Sequence, residues 1–206
     1  MSTHTVVVTD HDFADLSIER AGLDGLADVV ALPGVVGYGA IGRAVGERAA
    51  ALGADVLASD PFLSAADLAD DPAELVPFEE LLARSGFVTV HSPLIDGTWN
   101  LLDAGAFARM RESASLVNVA RGPIVDTDAL CAALDRGEIA GAGLDVFPDE
   151  PLATEDPLRD HPRVTTTPHV AWYSEEANEE RRRTMTEIAR NTLGDDEPWT
   201  VVNGVE

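Results

Sequence analysis

Short apolar runs and segments of helical periodicity alternate along this chain. The apolar runs have the length and continuity of buried parallel strands, and they fall at 35–36, 55–60, 87–91, 115–120, 143–147 and 164–167. Between and after them, apolar residues at helical spacing predict helices over 41–52, 78–84, 103–110, 126–134 and 175–193. This alternation predicts an α/β fold with a doubly wound parallel sheet.

The first 34 residues form a pattern of their own. Thr5 to Thr9 and Asp28 to Leu32 read as strands, and the segment from about Ala14 to Leu26 reads as a helix between them. Such a β-α-β unit buries too little apolar surface to be stable alone, so we expect it to dock on the larger domain or to stay mobile. We therefore predict three parts: residues 1–34, a main domain over 35–194, and a loosely held tail over 195–206.

A glycine turn follows the strand at Val35-Val36. Gly37, Tyr38, Gly39, Ala40, Ile41 and Gly42 form a G-x-G-x-x-G sequence, and Gly53 ends the following helix. In a dinucleotide site the first glycine allows the tight turn, the second lets the backbone approach a pyrophosphate, and the third lets helix and strand pack closely. A purely structural glycine turn is the alternative. The strand before and the helix after the turn favour a dinucleotide-binding domain of Rossmann type.

Asp60 closes the next predicted strand, 18 residues after Gly42. A carboxylate at this place accepts hydrogen bonds from both ribose hydroxyls of an adenosine and repels a 2′-phosphate. The sequence therefore predicts NAD rather than NADP as the cofactor.

Four polar residues lie at, or one or two residues past, the carboxyl ends of predicted strands: His91, Arg121, Asp145 and His169. Each alone could be a surface turn residue, but four at the edge where doubly wound sheets bind ligands indicate a site. His169 suits a proton donor because imidazole titrates near neutrality, and a carboxylate such as Glu150 would fix its tautomer. Arg121 could bind a substrate carboxylate bidentately, and Asp145 could accept from the nicotinamide carboxamide.

The charge of the chain is unusual. It has 37 acidic residues against 14 basic ones, all of them arginine, and a formal net charge of −23. Such a surface repels nucleic acid and anionic membranes, so neither is an expected partner. An acidic, lysine-free surface fits a salt-rich cytoplasm, and a compositional bias of the genome is the alternative.

One cysteine, Cys131, excludes an intramolecular disulfide, and it lies in an apolar helical pattern that suggests core packing. No stretch approaches the roughly 20 apolar residues of a membrane span, and Thr5 to Val8 is too short for a signal peptide. A cytoplasmic location is therefore expected. The sequence predicts no metal site.

Several motifs over about residues 35–194 together resemble the D-2-hydroxyacid dehydrogenases: VVGYGAIG with Asp60, HSPL, SLVNVARGPIVDTDAL, GAGLDVFPDEP and TTPHVAW. The resemblance implies a 2-oxo or 2-hydroxy acid substrate. It implies that Arg121 binds the substrate carboxylate, that His169 is the acid/base, and that Glu150 is its partner. It also assigns Val119, Ala120, Asp145, His91, Ser92, Pro93 and Thr98 to the cofactor site.

TPHVAWYSEEA looks most like the C-terminal-binding-protein branch of the family, in which the tryptophan matching Trp172 faces the substrate pocket. From the residues alone, Trp172 could equally be a core or interface aromatic. Members of the family have a second lobe, and only residues 1–32 match its beginning. The helices that pair subunits have no counterpart here, so a homodimer stays open. An NAD-binding interaction module without turnover is the alternative function.

Overall fold

In the computed structural model, residues 33–193 are described, and they form an α/β fold. The predicted β-α-β unit over 1–32 and the predicted tail over 195–206 lie outside these residues. Contacts divide the chain into two units, the first ending at Pro168 and the second beginning at His169.

Residues 33–168, the described part of the first unit, contain seven strands and four α-helices. The strands are β1 (Pro33–Val36), β2 (Val56–Ser59), β3 (Ala73–Leu75), β4 (Phe87–Val90), β5 (Ser115–Asn118), β6 (Gly141–Leu144) and β7 (Val164–Thr166). The helices are α1 (Ala40–Ala51), α2 (Phe78–Arg84), α3 (Ala104–Phe107) and α4 (Thr127–Arg136), with short 3-10 turns at Ala65–Leu68, Asp96–Thr98 and Gly122–Ile124.

All seven strands are parallel and lie in the order β3-β2-β1-β4-β5-β6-β7. Neighbouring residues of a strand pack on opposite faces: Val35 belongs to one buried cluster with Val56 and Ala58, and Val36 belongs to another. The second cluster contains the buried side chains of α2, α3 and α4, whereas the first receives Ala49 and Ala50 of α1. Helices therefore cover both faces, which confirms the predicted fold class.

Several element boundaries differ from the prediction. β1 begins at Pro33, so Pro33 and Gly34 belong to the sheet, although the sequence predicts this strand only over 35–36. The strand predicted over 143–147 runs over Gly141–Leu144 instead, so Asp145 follows it. β3 was not predicted. The helix predicted over 103–110 is α-helical only to Phe107 and then tightens into turns in which Arg109 and Met110 N–H bond the carbonyls three residues earlier.

The second unit begins at His169 and contains helix α5 (Glu175–Leu193), with the bounds that the sequence predicts. Helix α5 has Glu175 and Glu176 in its first turn and Arg190 in its last turn. This arrangement of charges complements the helix dipole. None of the helices within residues 33–193 is both long and apolar enough to span a membrane.

Candidate functional site

The candidate site begins with the register of the sheet. The final residues of six strands pair in one continuous row: Ser59, Val36, Val90, Asn118, Leu144 and Thr166. The residue that directly follows each of these strands therefore lies at the same edge of the sheet. These residues are Asp60, Gly37, His91, Val119, Asp145 and Thr167. Five of these six residues were predicted to contact the cofactor, and Thr167 was not. Arg121 and His169 follow their strands by three residues rather than one or two.

The glycine turn has the backbone geometry that a dinucleotide site requires. Gly37 has a φ of +84°, and an added Cβ would lie 2.6 Å from the amide nitrogen of Ser92. An added Cβ on Gly42 would lie 2.2 Å from the Gly37 carbonyl oxygen, so only glycine lets α1 start so close to β1. A Cβ on Gly39 would meet nothing within 4 Å, which leaves space in front of the turn.

Helix α1 starts at this open space. Gly39 is its N-cap and provides no side-chain capping bond, and no acidic residue lies in the first turn. The first N–H groups of a helix have no intrahelical acceptor, so Ala40, Ile41 and Gly42 can present N–H groups to an anion. The Ile41 side chain is exposed beside them.

Ser92 forms the floor under the glycine turn. Its side chain is buried, yet its Oγ has no hydrogen-bond partner among residues 33–193. A buried hydroxyl without a partner is costly, and a bound ligand would supply one. The following turn is held by Thr98, whose hydroxyl donates to the Pro93 carbonyl oxygen at 2.7 Å and accepts from the Ile95 amide at 2.9 Å.

Asp60 sits on the other side of the glycine turn. Its Oδ2 accepts from the Tyr38 N–H at 2.9 Å and its Oδ1 accepts from the Phe62 N–H at 3.0 Å. A cleft of about 770 Å³ opens beside it, and Asp60, Ser92 and Thr98 line this cleft together with apolar side chains such as Phe62 and Ile95. An apolar wall with a few polar groups at its edge suits an adenine ring and its ribose.

The middle of the edge is built on Asn118, the last residue of β5. Its buried amide donates to the Arg121 carbonyl oxygen at 2.9 Å and accepts from the Ala120 N–H at 3.1 Å, so one side chain shapes the whole turn. Val119 and Ala120 are half-buried in this turn, and the Arg121 side chain is exposed. The sequence analysis did not identify Asn118.

Arg121 lies beside the loop that carries Glu150. A Cβ on Gly122 would lie 2.0 Å from the carbonyl carbon of Phe147, so the two loops touch backbone to backbone. Glu150 Oε1 accepts from the Phe147 N–H at 3.0 Å, which fixes the carboxylate within its own loop. Two of the three predicted catalytic residues therefore lie on loops in direct contact.

Asp145 is buried at the end of β6. Thr167, which follows β7, donates its hydroxyl to Asp145 Oδ1 at 2.5 Å, and its backbone N–H continues the ladder to the Leu144 carbonyl oxygen. This bond fixes the direction of a carboxylate that the sequence analysis assigned to the cofactor. Thr167 follows a strand as the other site residues do, which is the signal that could have identified it.

His91 is half-buried at the end of β4, and burial lowers the pKa of its imidazole below the ordinary value. Its Nε2 lies 3.0 Å from the Thr89 hydroxyl oxygen. Burial therefore favours the neutral form of the His91 imidazole. Within residues 33–193 no group of three His, Cys, Asp or Glu side chains is arranged to hold a metal ion.

His169 and Trp172 belong to the second unit. The His169 carbonyl oxygen accepts from Trp172 Nε1 at 2.8 Å, and its backbone has a φ of +55°. Positive φ is uncommon for residues other than glycine and is found at functional sites more often than elsewhere. The edge of the first unit thus brings together the predicted residues from Gly37 to Glu150. The pairing of His169 with Glu150 stays a prediction.

The open glycine turn, the Ser92 hydroxyl, which has no hydrogen-bond partner within the described residues 33–193, and the Asp60 carboxylate fit the pyrophosphate and the ribose of a dinucleotide. Together with the parallel sheet and its strand order, they define a dinucleotide-binding domain of the Rossmann type. The chain belongs to the family described as D-isomer specific 2-hydroxyacid dehydrogenase, NAD binding domain, which matches residues 31–171. NAD is thus the cofactor of this domain.

Similar proteins include dehydrogenases and reductases. The chain is 36% identical over 192 residues to a D-3-phosphoglycerate dehydrogenase of Mycobacterium tuberculosis, covering 93% of this chain and 36% of that protein. It is 41% identical over 160 residues to a glyoxylate reductase of Korarchaeum cryptofilum, covering 78% of this chain and 47% of that protein. The chain thus spans less than half the length of these two relatives.

Solved structures show the same architecture. The NAD complexed form of a D-isomer specific 2-hydroxyacid dehydrogenase from Lactobacillus delbrueckii ssp. bulgaricus matches with a TM-score of 0.76 and 33% identity, over 84% of this chain and 56% of that one. The apo D-mandelate dehydrogenase of Rhodotorula graminis matches with a TM-score of 0.78 and 32% identity, over 91% and 56% of the two chains.

Proposed function

We propose that this protein is an NAD-dependent oxidoreductase that transfers a hydride between NAD(H) and a small 2-oxo or 2-hydroxy acid. The observation that carries the proposal is the register row. It places the glycine turn, Asp60, the turn that carries Arg121, and Asp145 at one edge of the sheet. NAD, when bound, would supply or accept the hydride.

Arg121 is proposed to bind the substrate carboxylate. Its guanidinium is exposed on a turn that Asn118 holds rigid, and a guanidinium binds a carboxylate bidentately. Its Nη1 donates to the Ala120 carbonyl oxygen at 2.6 Å, which leaves further N–H groups for a ligand. An anchored carboxylate would orient the neighbouring carbon of the substrate.

His169 is proposed to donate the proton to the substrate oxygen during reduction and to take it back during oxidation. Glu150 is proposed to orient the imidazole and to stabilise its charged form. Its carboxylate is already fixed by the Phe147 N–H, so it can hold a partner without first being ordered itself. Asp145, fixed by Thr167, is proposed to accept from the cofactor amide.

Turnover is tested by NADH oxidation with glyoxylate, pyruvate and hydroxypyruvate in molar KCl. We expect measurable activity with at least one acid. His169→Ala should lower kcat by about 10²- to 10⁴-fold, the usual contribution of a general acid. His161→Ala removes another imidazole, one that lies 3.6 Å from Asp135, and should keep the activity. Activity that survives His169→Ala would contradict the assignment.

A second candidate function is an NAD-binding interaction module without turnover, similar to the C-terminal-binding-protein branch. The aromatic pair of the second unit favours it: the Trp172 and Tyr173 rings meet edge to face at 5.5 Å and are 50% and 59% exposed. Exposed aromatic side chains are enriched at protein interfaces. NAD binding by calorimetry without turnover of any of the three acids would favour this function over the first.

We also propose a cellular location and a set of partners. The excess of acids over arginines favours a salt-rich cytoplasm, because screening reduces the repulsion between carboxylates. A single cysteine fits a reducing compartment. The partners that we propose are a small 2-oxo or 2-hydroxy acid and NAD, with neither nucleic acid nor membrane among them; a homodimer stays an open part of the proposal.

A further inference from the structure

Tyr38 is an unusual residue within the glycine turn because its ring is completely buried. It packs against α1 so closely that an added Cβ on Gly46 would lie 2.5 Å from the hydroxyl oxygen. The Arg43 guanidinium covers the ring at 5.2 Å from its centroid. The side chain thus anchors a turn whose other residues are small or exposed.

The Tyr38 hydroxyl bonds to the loop before β3. It donates to Asp71 Oδ1 at 2.5 Å, and Arg43 Nη1 donates to Asp71 Oδ2 at 2.6 Å. Asp71 Oδ1 also accepts from the Ala73 N–H at 3.1 Å. Burial and the bond to Asp71 raise the pKa of Tyr38, so its hydroxyl stays a donor. The three side chains connect the glycine turn, α1 and the start of β3.

The same tyrosine contacts Asp60 through its backbone. Its N–H donates to Asp60 Oδ2, while Oδ1 accepts from Phe62. Each carboxylate oxygen can accept a second hydrogen bond, so Asp60 keeps capacity for the ribose hydroxyls. The direction of those acceptors depends on where the Tyr38 N–H lies.

We propose that Tyr38, Asp71 and Arg43 form a positioning cluster that fixes the glycine turn and thereby presents Asp60 in one orientation to the adenosine ribose. None of the three side chains is required to touch the cofactor. This inference rests on the proposed NAD-dependent function, because it explains how the ribose is recognised.

The cluster is tested by recognition of the 2′-hydroxyl. Dissociation constants of ADP and 2′-deoxy-ADP are measured by calorimetry for the wild type, Tyr38→Phe and Asp71→Asn. We expect the wild type to bind ADP about tenfold more tightly than 2′-deoxy-ADP, because 2′-deoxy-ADP lacks one hydrogen bond to the Asp60 carboxylate. Tyr38→Phe keeps the buried ring and loses the donor, so the ratio should fall below about threefold.

Ile139→Val is the matched control. Ile139 is fully buried, and it belongs to the core cluster that does not contain Tyr38. The variant loses core packing without touching the turn, so a general loss of stability should leave the ratio of the two dissociation constants unchanged. Asp71→Asn retains the volume at the loop and should also lower the ratio, which covers the case in which Tyr38→Phe does not fold.

A second readout needs no ligand. Amide hydrogen exchange over 37–43 should be faster in Tyr38→Phe than in the wild type and unchanged in Ile139→Val. An unchanged binding ratio in both cluster variants would overturn the inference, and so would a wild type that binds both nucleotides equally. A wild type that binds neither ADP nor NAD would instead refute the proposed function, and the exchange comparison would still decide whether the cluster anchors the turn.

Discussion

At the scale of residues, direct hydrogen bonds from backbone N–H groups or a hydroxyl fix the site carboxylates. Asp60 accepts the Tyr38 and Phe62 N–H groups, Glu150 accepts the Phe147 N–H, and Asp145 accepts the Thr167 hydroxyl. Hydrogen bonds to an ionised acceptor are stronger than neutral ones and restrict its direction. A ligand can therefore bind acceptors that are already oriented, which lowers the entropy lost on binding.

His91 gives a prediction at the same scale. Its pKa in the folded state lies below the ordinary value near 6.5, so the unfolded chain takes up its proton first as the pH falls. The contribution of His91 to the free energy of unfolding should therefore be complete above about pH 6.5. Below that pH the free energy of unfolding should decrease, by less than ~1.4 kcal/mol for each pH unit. His91→Gln should remove this part of the slope.

Urea unfolding of the wild type and of His91→Gln, from about pH 8 down to about pH 5.5, measures the difference above the range in which carboxylates dominate. Equal slopes in the two proteins would show that His91 does not titrate as its burial requires.

At the scale of elements, helices and turns with strong local signals were predicted well. α2 and α5 have the predicted bounds, and Gly53, which was predicted to end α1, follows that helix with a φ of +82°. These signals are local in sequence: a run at helical spacing followed by glycine. The glycine turn and Asp60 could be predicted for the same reason, because the motif lies within one β-α-β unit.

Elements that depend on distant partners were predicted poorly. β3 has three residues, one of them buried, and exists because β2 pairs with it. β6 begins two residues before its predicted start and ends three residues before its predicted end, because Gly141 carries no apolar signal and joins the sheet through its register with Ser115. Strand formation by short segments follows from tertiary pairing, which a single sequence does not contain.

The sequence analysis identified Tyr38 and Asp145 but missed the residues that hold them, Asp71 and Thr167, for the same physical reason. Tyr38 and Asp71 are 33 positions apart, and Asp145 and Thr167 are 22 apart, yet both pairs bond directly. Asn118 bonds to Arg121, only three residues away, but nothing in the sequence distinguishes its amide from that of an exposed asparagine. Residues that bind a ligand follow a motif, whereas residues that position them follow from packing.

At the scale of the whole molecule, the net charge of −23 predicts a dependence of stability on salt. Screening weakens repulsion between carboxylates, so Tm should rise by about 5–10 °C from low salt to molar KCl, corresponding to roughly 2–3 kcal/mol. Differential scanning calorimetry measures the rise. Sucrose stabilises proteins by exclusion without screening charge and should raise Tm less. Equal effects of KCl and sucrose, or no effect of KCl, would contradict this account.

The central claim concerns the whole nucleotide edge: NAD binds across the glycine turn with its adenosine ribose on Asp60. Calorimetric titration of the wild type, Asp60→Asn and Asp55→Asn with NAD and with NADP tests it most directly. Asp55 is an exposed acid just before the opposite end of β2, so Asp55→Asn controls for the loss of one charge.

We predict that the wild type prefers NAD, that Asp60→Asn loses about 10- to 100-fold in NAD affinity and narrows the preference over NADP, and that Asp55→Asn binds like the wild type. An Asp60→Asn variant with wild-type affinity and preference would contradict the claim.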